Sequence, residues 1–221
     1  RADPVESEVD GSAAVSLGGG KPITAAAQSG GIFWVGTAGA GIYREGQYCD
    51  YSGRTIFSLH VSQTNSAIYA SLTAPNGTYA IIKKANDTDT SPCNWDTFTT
   101  GLPTPKPQVY SFASNSQRTF AASSTGVYYL TGNGTTWTAG TGILKDVYSI
   151  TLDPANQNRL YAADELGAYQ SNDGGLSWQL IARPELQGRA FVSALVDPQN
   201  SNLVYFGSRE GSTYRWDMTL P

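Results

Sequence analysis

Five copies of one short signature bound the fold more tightly than any other feature of the chain. The segments are "FWVGTAGAGIY" from Phe33, "IYASLTAPNGTYAI" from Ile68, "TFAASSTGVYY" from Thr119, "LYAADELGAYQ" from Leu160 and "VYFGSREGSTY" from Val204. Each places an aromatic beside an apolar or β-branched residue, then small residues, a turn and a second strand-like run. The aromatics Trp34, Tyr69, Phe120, Tyr161 and Tyr205 are 35, 51, 41 and 44 residues apart, a period that belongs to propeller blades and not to helical solenoids. A further strand precedes each copy: "PITAAAQ", "IFSLHVS", "VYSFASN", "VYSITLDP" and "FVSALVDP". In most repeats a fourth strand follows, so the unit reads as a four-stranded antiparallel blade.

The predicted fold is therefore all-β, a five-bladed β-propeller with blades starting near residues 21, 54, 107, 145 and 189. Composition agrees, with 24 glycines, 13 tyrosines, only 14% charged residues and no sustained 3.6-residue apolar period. The last repeat supplies only three strands, ending in "STYRWDMTLP", while residues 12–18, "SAAVSLG", are strand-like and unassigned. They are expected to complete the last blade and close the ring, which removes two exposed sheet edges. Residues 1–10 carry four carboxylates without apolar pattern and are expected to form a flexible tail, leaving residues 11–221 as a single domain.

The third and fourth strands of one repeat are joined by "SNDGGLSW", in which Ser171, Asp173, Gly175 and Trp178 stand at fixed offsets. Short Ser and Asp side chains bond nearby backbone amides, glycine permits positive φ, and the indole covers an adjacent apolar layer. Degenerate counterparts end in Trp137 and contain Trp95, about one repeat apart, so packing explains the motif better than three binding sites. The pattern Ser-x-Asp-x-Gly-x-x-Trp resembles the Asp-box, or BNR, repeat of sialidases, sortilin-type receptors, xyloglucan hydrolases and photosystem-assembly propellers. That resemblance implies Asp-box corners in a propeller and nothing about activity, because the box occurs on unrelated functions.

A net charge of −4 excludes a general nucleic-acid binder, and no apolar run reaches the roughly 20 residues of a membrane span. The sequence starts at Arg1 and carries sequons at Asn76, Asn86 and Asn133, which fit an exported, extracellular or periplasmic protein. Cys49 and Cys93 are the only cysteines, and either a disulfide or two buried thiols is compatible with the sequence. With one histidine, His60, no structural zinc site is expected; His60 lies inside a first strand and reads as structural. No metal or cofactor is expected.

Function is expected on the face shared by the loops that enter each first strand and the loops joining second to third strands. A basic residue stands three to five positions before each first-strand hydroxyl: Lys21 with Thr24, Arg54 with Ser58, Lys106 with Ser111, Lys145 with Ser149 and Arg189 with Ser193. Together with Arg209 these form a candidate cationic collar for an acidic glycan, peptide or protein, although basic residues that simply tolerate exposed loops would give the same pattern. Asp146, Asp164, Glu165, Glu185 and Glu210 are the carboxylates on that face, yet no pair among them stands out as an acid and base. The reading favoured is a non-catalytic, monomeric binding propeller without catalytic residues, recognising a glycan or an acidic peptide near the central channel. A glycoside hydrolase or lyase and a protein-interaction scaffold are the alternatives.

Overall fold

Alternation of apolar and small residues along each repeat gives sheets with two apolar faces, and a sheet of that kind must be covered on both sides. The computed structural model describes residues 20–74, 77–85, 93–143 and 146–220 and meets this demand with five antiparallel sheets. Blade 1 holds β1 (Ile23–Ser29), β2 (Ile32–Thr37), β3 (Ile42–Arg44) and β4 (Gln47–Asp50); blade 2 holds β5 (Ile56–Val61), β6 (Ile68–Thr73), β7 (Tyr79–Lys84) and β8 (Asp96–Thr97). Blade 3 comprises β9 (Val109–Ser114), β10 (Arg118–Ser123), β11 (Gly126–Thr131) and β12 (Thr138–Ala139). Blade 4 comprises β13 (Ser149–Asp153), β14 (Asn156–Ala163), β15 (Ala168–Ser171) and β16 (Gln179–Leu180), and blade 5 has β17 (Phe191–Val196), β18 (Leu203–Ser208) and β19 (Thr213–Asp217). One single-turn 3₁₀ element, Pro184–Leu186, is the helical structure among the described residues. The chain is thus an all-β propeller of five sheets.

In every blade the strands lie in chain order, and the first strands β1, β5, β9, β13 and β17 are innermost, each beside the next. Four apolar clusters fill the four junctions from blade 1 to blade 5. The residue at the head of each first strand is the wedge: Ile56, Val109, Val147 and Phe191 are all fully buried against the preceding blade. Gly36 shows how close that approach is, since a Cβ there would lie 2.5 Å from Ile56 Cγ2. The equivalent residue of blade 1, Ile23, is 56% exposed, and Leu195 of β17 is 60% exposed. The segments expected to form the tail and the closing strand, residues 1–10 and 12–18, lie outside the described residues, as do Lys145, Asn76 and Asn86.

At the "SNDGGLSW" corner, Gly175 N donates to Ser171 Oγ (2.9 Å), Leu176 N donates to Asp173 Oδ1 (3.0 Å), and the Trp178 indole donates to Gly175 O (3.2 Å). Desolvation would raise the Asp173 carboxyl, but the bonds it accepts from Ser177 Oγ and N, Ser171 Oγ and Leu176 N hold it below the usual range. Gly175 has φ 84° and sits where a Cβ would lie 2.3 Å from Phe120 of blade 3, so both backbone and space demand glycine. Each corner tryptophan packs back onto the preceding blade: Trp95 edge-on to Trp34 at 5.6 Å, Trp137 against Tyr69 at 6.0 Å, and Trp178 within the cluster holding Phe120 and Val127. The other ends of the blades are latched by polar turns, with Thr64 Oγ1 donating to Asn115 O (2.9 Å) and Asn115 Nδ2 to Gln157 O (3.0 Å).

Cys49 of β4 and Cys93 ahead of β8 form a disulfide with Cα atoms 5.3 Å apart, tying the outer strands of blades 1 and 2 across 44 residues. Constraining a loop of that length in the unfolded chain is worth about 2–4 kcal/mol. Reduction with dithiothreitol is expected to lower Tm by about 5–10 °C in calorimetry, and Cys93→Ser to do the same without reductant.

His60 stacks on Phe112 at 6.5 Å and shares a 2.8 Å hydrogen bond between Nε2 and Ser114 Oγ at the junction of blades 2 and 3. Burial pushes its pKa down to about 4 from 6.5. The unfolded chain therefore takes up this proton first as pH falls, so the stabilisation is complete above pH 6.5 and is lost between 6.5 and 4. Denaturant titrations across that window are expected to show a loss of about 3 kcal/mol that His60→Gln removes from the pH profile.

Candidate functional site

The first strands open with a β-bulge, which turns one residue out of the ladder. Register skips Thr24 in β1, Phe57 in β5, Tyr110 in β9 and Val192 in β17, and in blade 4 both Tyr148 and Ser149 face Ala163. Bulges re-aim side chains, and here they bring aromatics from neighbouring blades together. The rings of Tyr110 and Tyr148 lie 5.0 Å apart at an interplanar angle of 48°, and Phe57 meets Tyr79 of its own blade at 5.8 Å. Every ring of this group is half-buried.

Charged groups from the second-to-third strand loops frame the tyrosine pair. The Arg209 guanidinium of blade 5 lies over the Tyr148 ring at 5.0 Å and 3.5 Å from Glu165 Oε1 of blade 4, and Tyr148 OH donates to Glu165 Oε2 (3.3 Å). Arg209 and Glu165 are both exposed, so this ion pair orients the ring and leaves further donors and acceptors free for a ligand. Asp146, at φ 51°, enters from the loop before β13. Burial raises the pKa values of Tyr110, Tyr148 and Asp164, and the negative charge of Asp146 adds to each. The arrangement is an aromatic platform with a carboxylate and a guanidinium at its rim.

The cations of the expected collar are distributed differently. Arg209 alone joins the tyrosines. Lys106 is half-buried and donates to Leu102 O (2.9 Å), Arg189 covers the Tyr214 ring at 5.2 Å, Lys21 is exposed, and Lys145 lies outside the described residues. Arg54 lines a cavity of about 590 Å³ between blades 1 and 2 with Tyr48, Asp50 and Tyr51. Burial, followed by Asp50 and Asp96, pushes the Tyr51 phenol up to about 12.

Among the carboxylates, Asp164 is almost fully buried and its Oδ1 accepts from Leu166 N (2.7 Å) and Gly167 N (2.8 Å) of its own turn. Glu185 lies in the 3₁₀ turn between blades 4 and 5, and Glu210 is exposed after β18. No group of three or more His, Cys, Asp or Glu able to hold a metal occurs among the described residues. In "IFS", "VYS" and "VYS" an aromatic stands directly before each first-strand hydroxyl. That recurring residue, at Phe57, Tyr110 and Tyr148, is the sequence signal for the platform.

These features define a β-propeller with an aromatic platform at the mouth of its inner strands. No family model matches the chain. A xyloglucanase of Hypocrea jecorina (strain QM6a) is 31% identical over 113 residues, covering 39% of this chain and 13% of the relative. Among solved structures, the GH74 enzyme of Niastella koreensis superposes with TM-score 0.67 at 17% identity over 93% of this chain and 37% of that one. The GH74 xyloglucanase of Xanthomonas campestris gives 0.66 at 14% identity over the same shares. The extracellular domain of BT4673 from B. thetaiotaomicron gives 0.67 at 13% identity, covering 96% of this chain and 28% of that one. The chain thus spans well under half the length of each, and the structural likeness is one of fold.

Two neighbouring carboxylates separate scaffold from surface. Asp164→Ala strands the buried Gly167 amide and the partly buried Leu166 amide and is expected to cost about 2 kcal/mol in chemical denaturation, whereas the exposed Glu165→Ala should shift stability by less than about 0.5 kcal/mol. Equal losses would place Glu165 in the scaffold as well.

Proposed function

We propose that the chain is an exported, monomeric, non-catalytic propeller that binds carbohydrate on its loop face, with Asp-box corners serving only to join blades. The observation that carries this reading is the Tyr110–Tyr148 pair, rimmed by Glu165 and Arg209. A pyranose presents an apolar C–H face to such rings while its hydroxyls reach a carboxylate acceptor and a guanidinium donor. The xyloglucanase relative and the GH74 neighbours support a glycan as the ligand class. Within this proposal Arg209 and Arg54 are the collar cations placed to touch ligand, Lys21 and Arg189 flank the face, and Lys106 braces its loop. Because Arg209 is already paired with Glu165, a neutral glycan fits the platform better than an acidic one.

A second reading, glycoside hydrolysis, has one observation in its favour. The Asp164 carboxyl is raised by burial with Asp146 nearby, as a general acid beside a second carboxylate would be. Its burial inside its own turn and its two backbone bonds argue for the structural role instead.

Isothermal titration with xyloglucan oligosaccharides and, for comparison, oligogalacturonates tests both readings. Binding of the neutral sugar that is insensitive to salt, weakened at least about tenfold (about 1.4 kcal/mol) by Tyr148→Ala, is the expected result. Binding confined to the acidic sugar and lost with salt would make the ligand acidic. New reducing ends that disappear in Asp164→Asn would make the chain a hydrolase.

A further inference from the structure

The corner joining the third and fourth strands of blade 3 lies on the face opposite the tyrosine platform. The platform is built where the chain enters first strands and where second strands turn into third ones, and antiparallel succession puts the β11–β12 corner at the other ends of the strands. Gly132 N of that corner donates to Gln117 O (2.8 Å) in the β9–β10 turn, which belongs to the same opposite face. The corner reads Thr131-Gly132-Asn133-Gly134-Thr135-Thr136-Trp137 and is one residue shorter than the Ser171–Trp178 corner of blade 4.

The shorter corner changes what its middle side chain does. In blade 4 the residue two places in is Asp173, whose carboxylate accepts from Ser171 Oγ (2.8 Å), Leu176 N (3.0 Å) and Ser177 N (3.0 Å). Its counterpart in blade 3 is Asn133. Here Gly134 N turns back to Thr131 O (2.9 Å), while Trp137 donates its amide to Thr100 O (2.9 Å) and its indole to Phe98 O (2.9 Å). Backbone and indole therefore close the corner without the middle side chain. Asn133 and Thr135 are both exposed, and neither the carboxamide nor the hydroxyl is hydrogen-bonded among the described residues.

We propose that Asn133 is an N-glycosylation site, carrying an oligosaccharide on Nδ2 when the chain passes through a glycosylating secretory compartment; the proposal rests on the export reading above. Asn133-Gly134-Thr135 meets the acceptor rule, with no proline in the middle and a threonine in third place. A bulky, solvated sugar needs a surface position, and the transferring enzyme must take up the carboxamide together with the hydroxyl two residues on. An exposed turn whose two side chains are unbonded permits that, and a side chain tied down like Asp173 does not. The reaction joins Nδ2 to C1 of a sugar carried on a polyprenyl pyrophosphate. The C1–O bond to phosphate breaks, the amide proton leaves to a base, and the polyprenyl pyrophosphate departs with the bonding pair. The attached sugar stands away from Tyr110 and Tyr148 and leaves the platform open.

The test is expression of the full chain behind a supplied secretion leader in a glycosylating eukaryotic host, with the secreted and retained pools both digested with trypsin. Peptide 119–145 contains Asn133 and no other sequon, so its mass before and after peptide-N-glycosidase treatment reports on this site alone. The expected result is a glycan on most copies of that peptide, lost in Asn133→Gln and in Thr135→Ala and kept in Thr135→Ser. Unglycosylated Asn133→Gln from an oxidising bacterial compartment should unfold within about 2 °C of the parent chain made in the same way. A larger loss would show that the side chain braces the corner, against the proposal. Bare peptide in both pools would overturn the site while leaving the export reading intact, and a modification that survives Thr135→Ala would overturn it too. Glycosylated peptide confined to the retained pool would uphold the site and count against the export reading.

Discussion

Everything in this fold depends on one contact, the residue at the head of each first strand wedged against the preceding blade. A four-stranded sheet with apolar residues on both faces cannot persist alone, because each face would leave a large apolar area in water. Ile56, Val109, Val147 and Phe191 supply the inner half of the cover, and Trp95, Trp137 and Trp178 supply the outer half from the corner ahead of the fourth strand. The two sets point the same way around the ring. Each blade therefore shields the one before it, and stability accumulates from junction to junction as in other repeat architectures. Glycine at 36 and 175 is the other side of the same constraint, since a side chain at either position would hold neighbouring blades apart.

Much of this was legible in the sequence because the packing repeats and repetition leaves a period. Aromatics at 34, 69, 120, 161 and 205 marked the second strands, which are the most buried, and the spacing fixed their number. The tryptophan corners were legible as packing for the same reason. The pairing of Cys49 with Cys93 was not, because it depends on how an outer strand of one blade meets the insertion of the next, and nothing recurs there. The exposure of Ile23 also has no sequence signal, since it looks like Ile56 and Val109, its buried counterparts in blades 2 and 3.

The site was half legible for a different reason. Position along the chain predicts which face a loop lies on, but not where a long side chain goes. Lys106 occupies the expected loop and turns inward to carbonyl oxygens, while Arg189 lies flat on Tyr214, each finding a partner close to its own backbone. A cation in a loop has many such local partners, so five similar positions need not converge. An aromatic at a bulge has fewer choices. The bulge removes it from the ladder, the buried wedge beside it blocks the sheet interior, and the remaining direction leads to the neighbouring blade, where Tyr110 and Tyr148 meet.

The same logic separates the channel mouth from the perimeter of the ring. At the channel mouth, adjacent blades approach closely and a ligand meets rings held by the inner strands, with polar groups only at the rim. On the flank the outer strands shorten to two residues in β16, and Gln179 and Leu180 there are exposed. A propeller blade is narrowest at its inner strand, so tight apolar packing belongs to the centre and unfilled polar space to the perimeter. That gradient follows from wedge-shaped sheets arranged in a ring, and it leaves the perimeter free to vary without displacing the contact on which the fold depends.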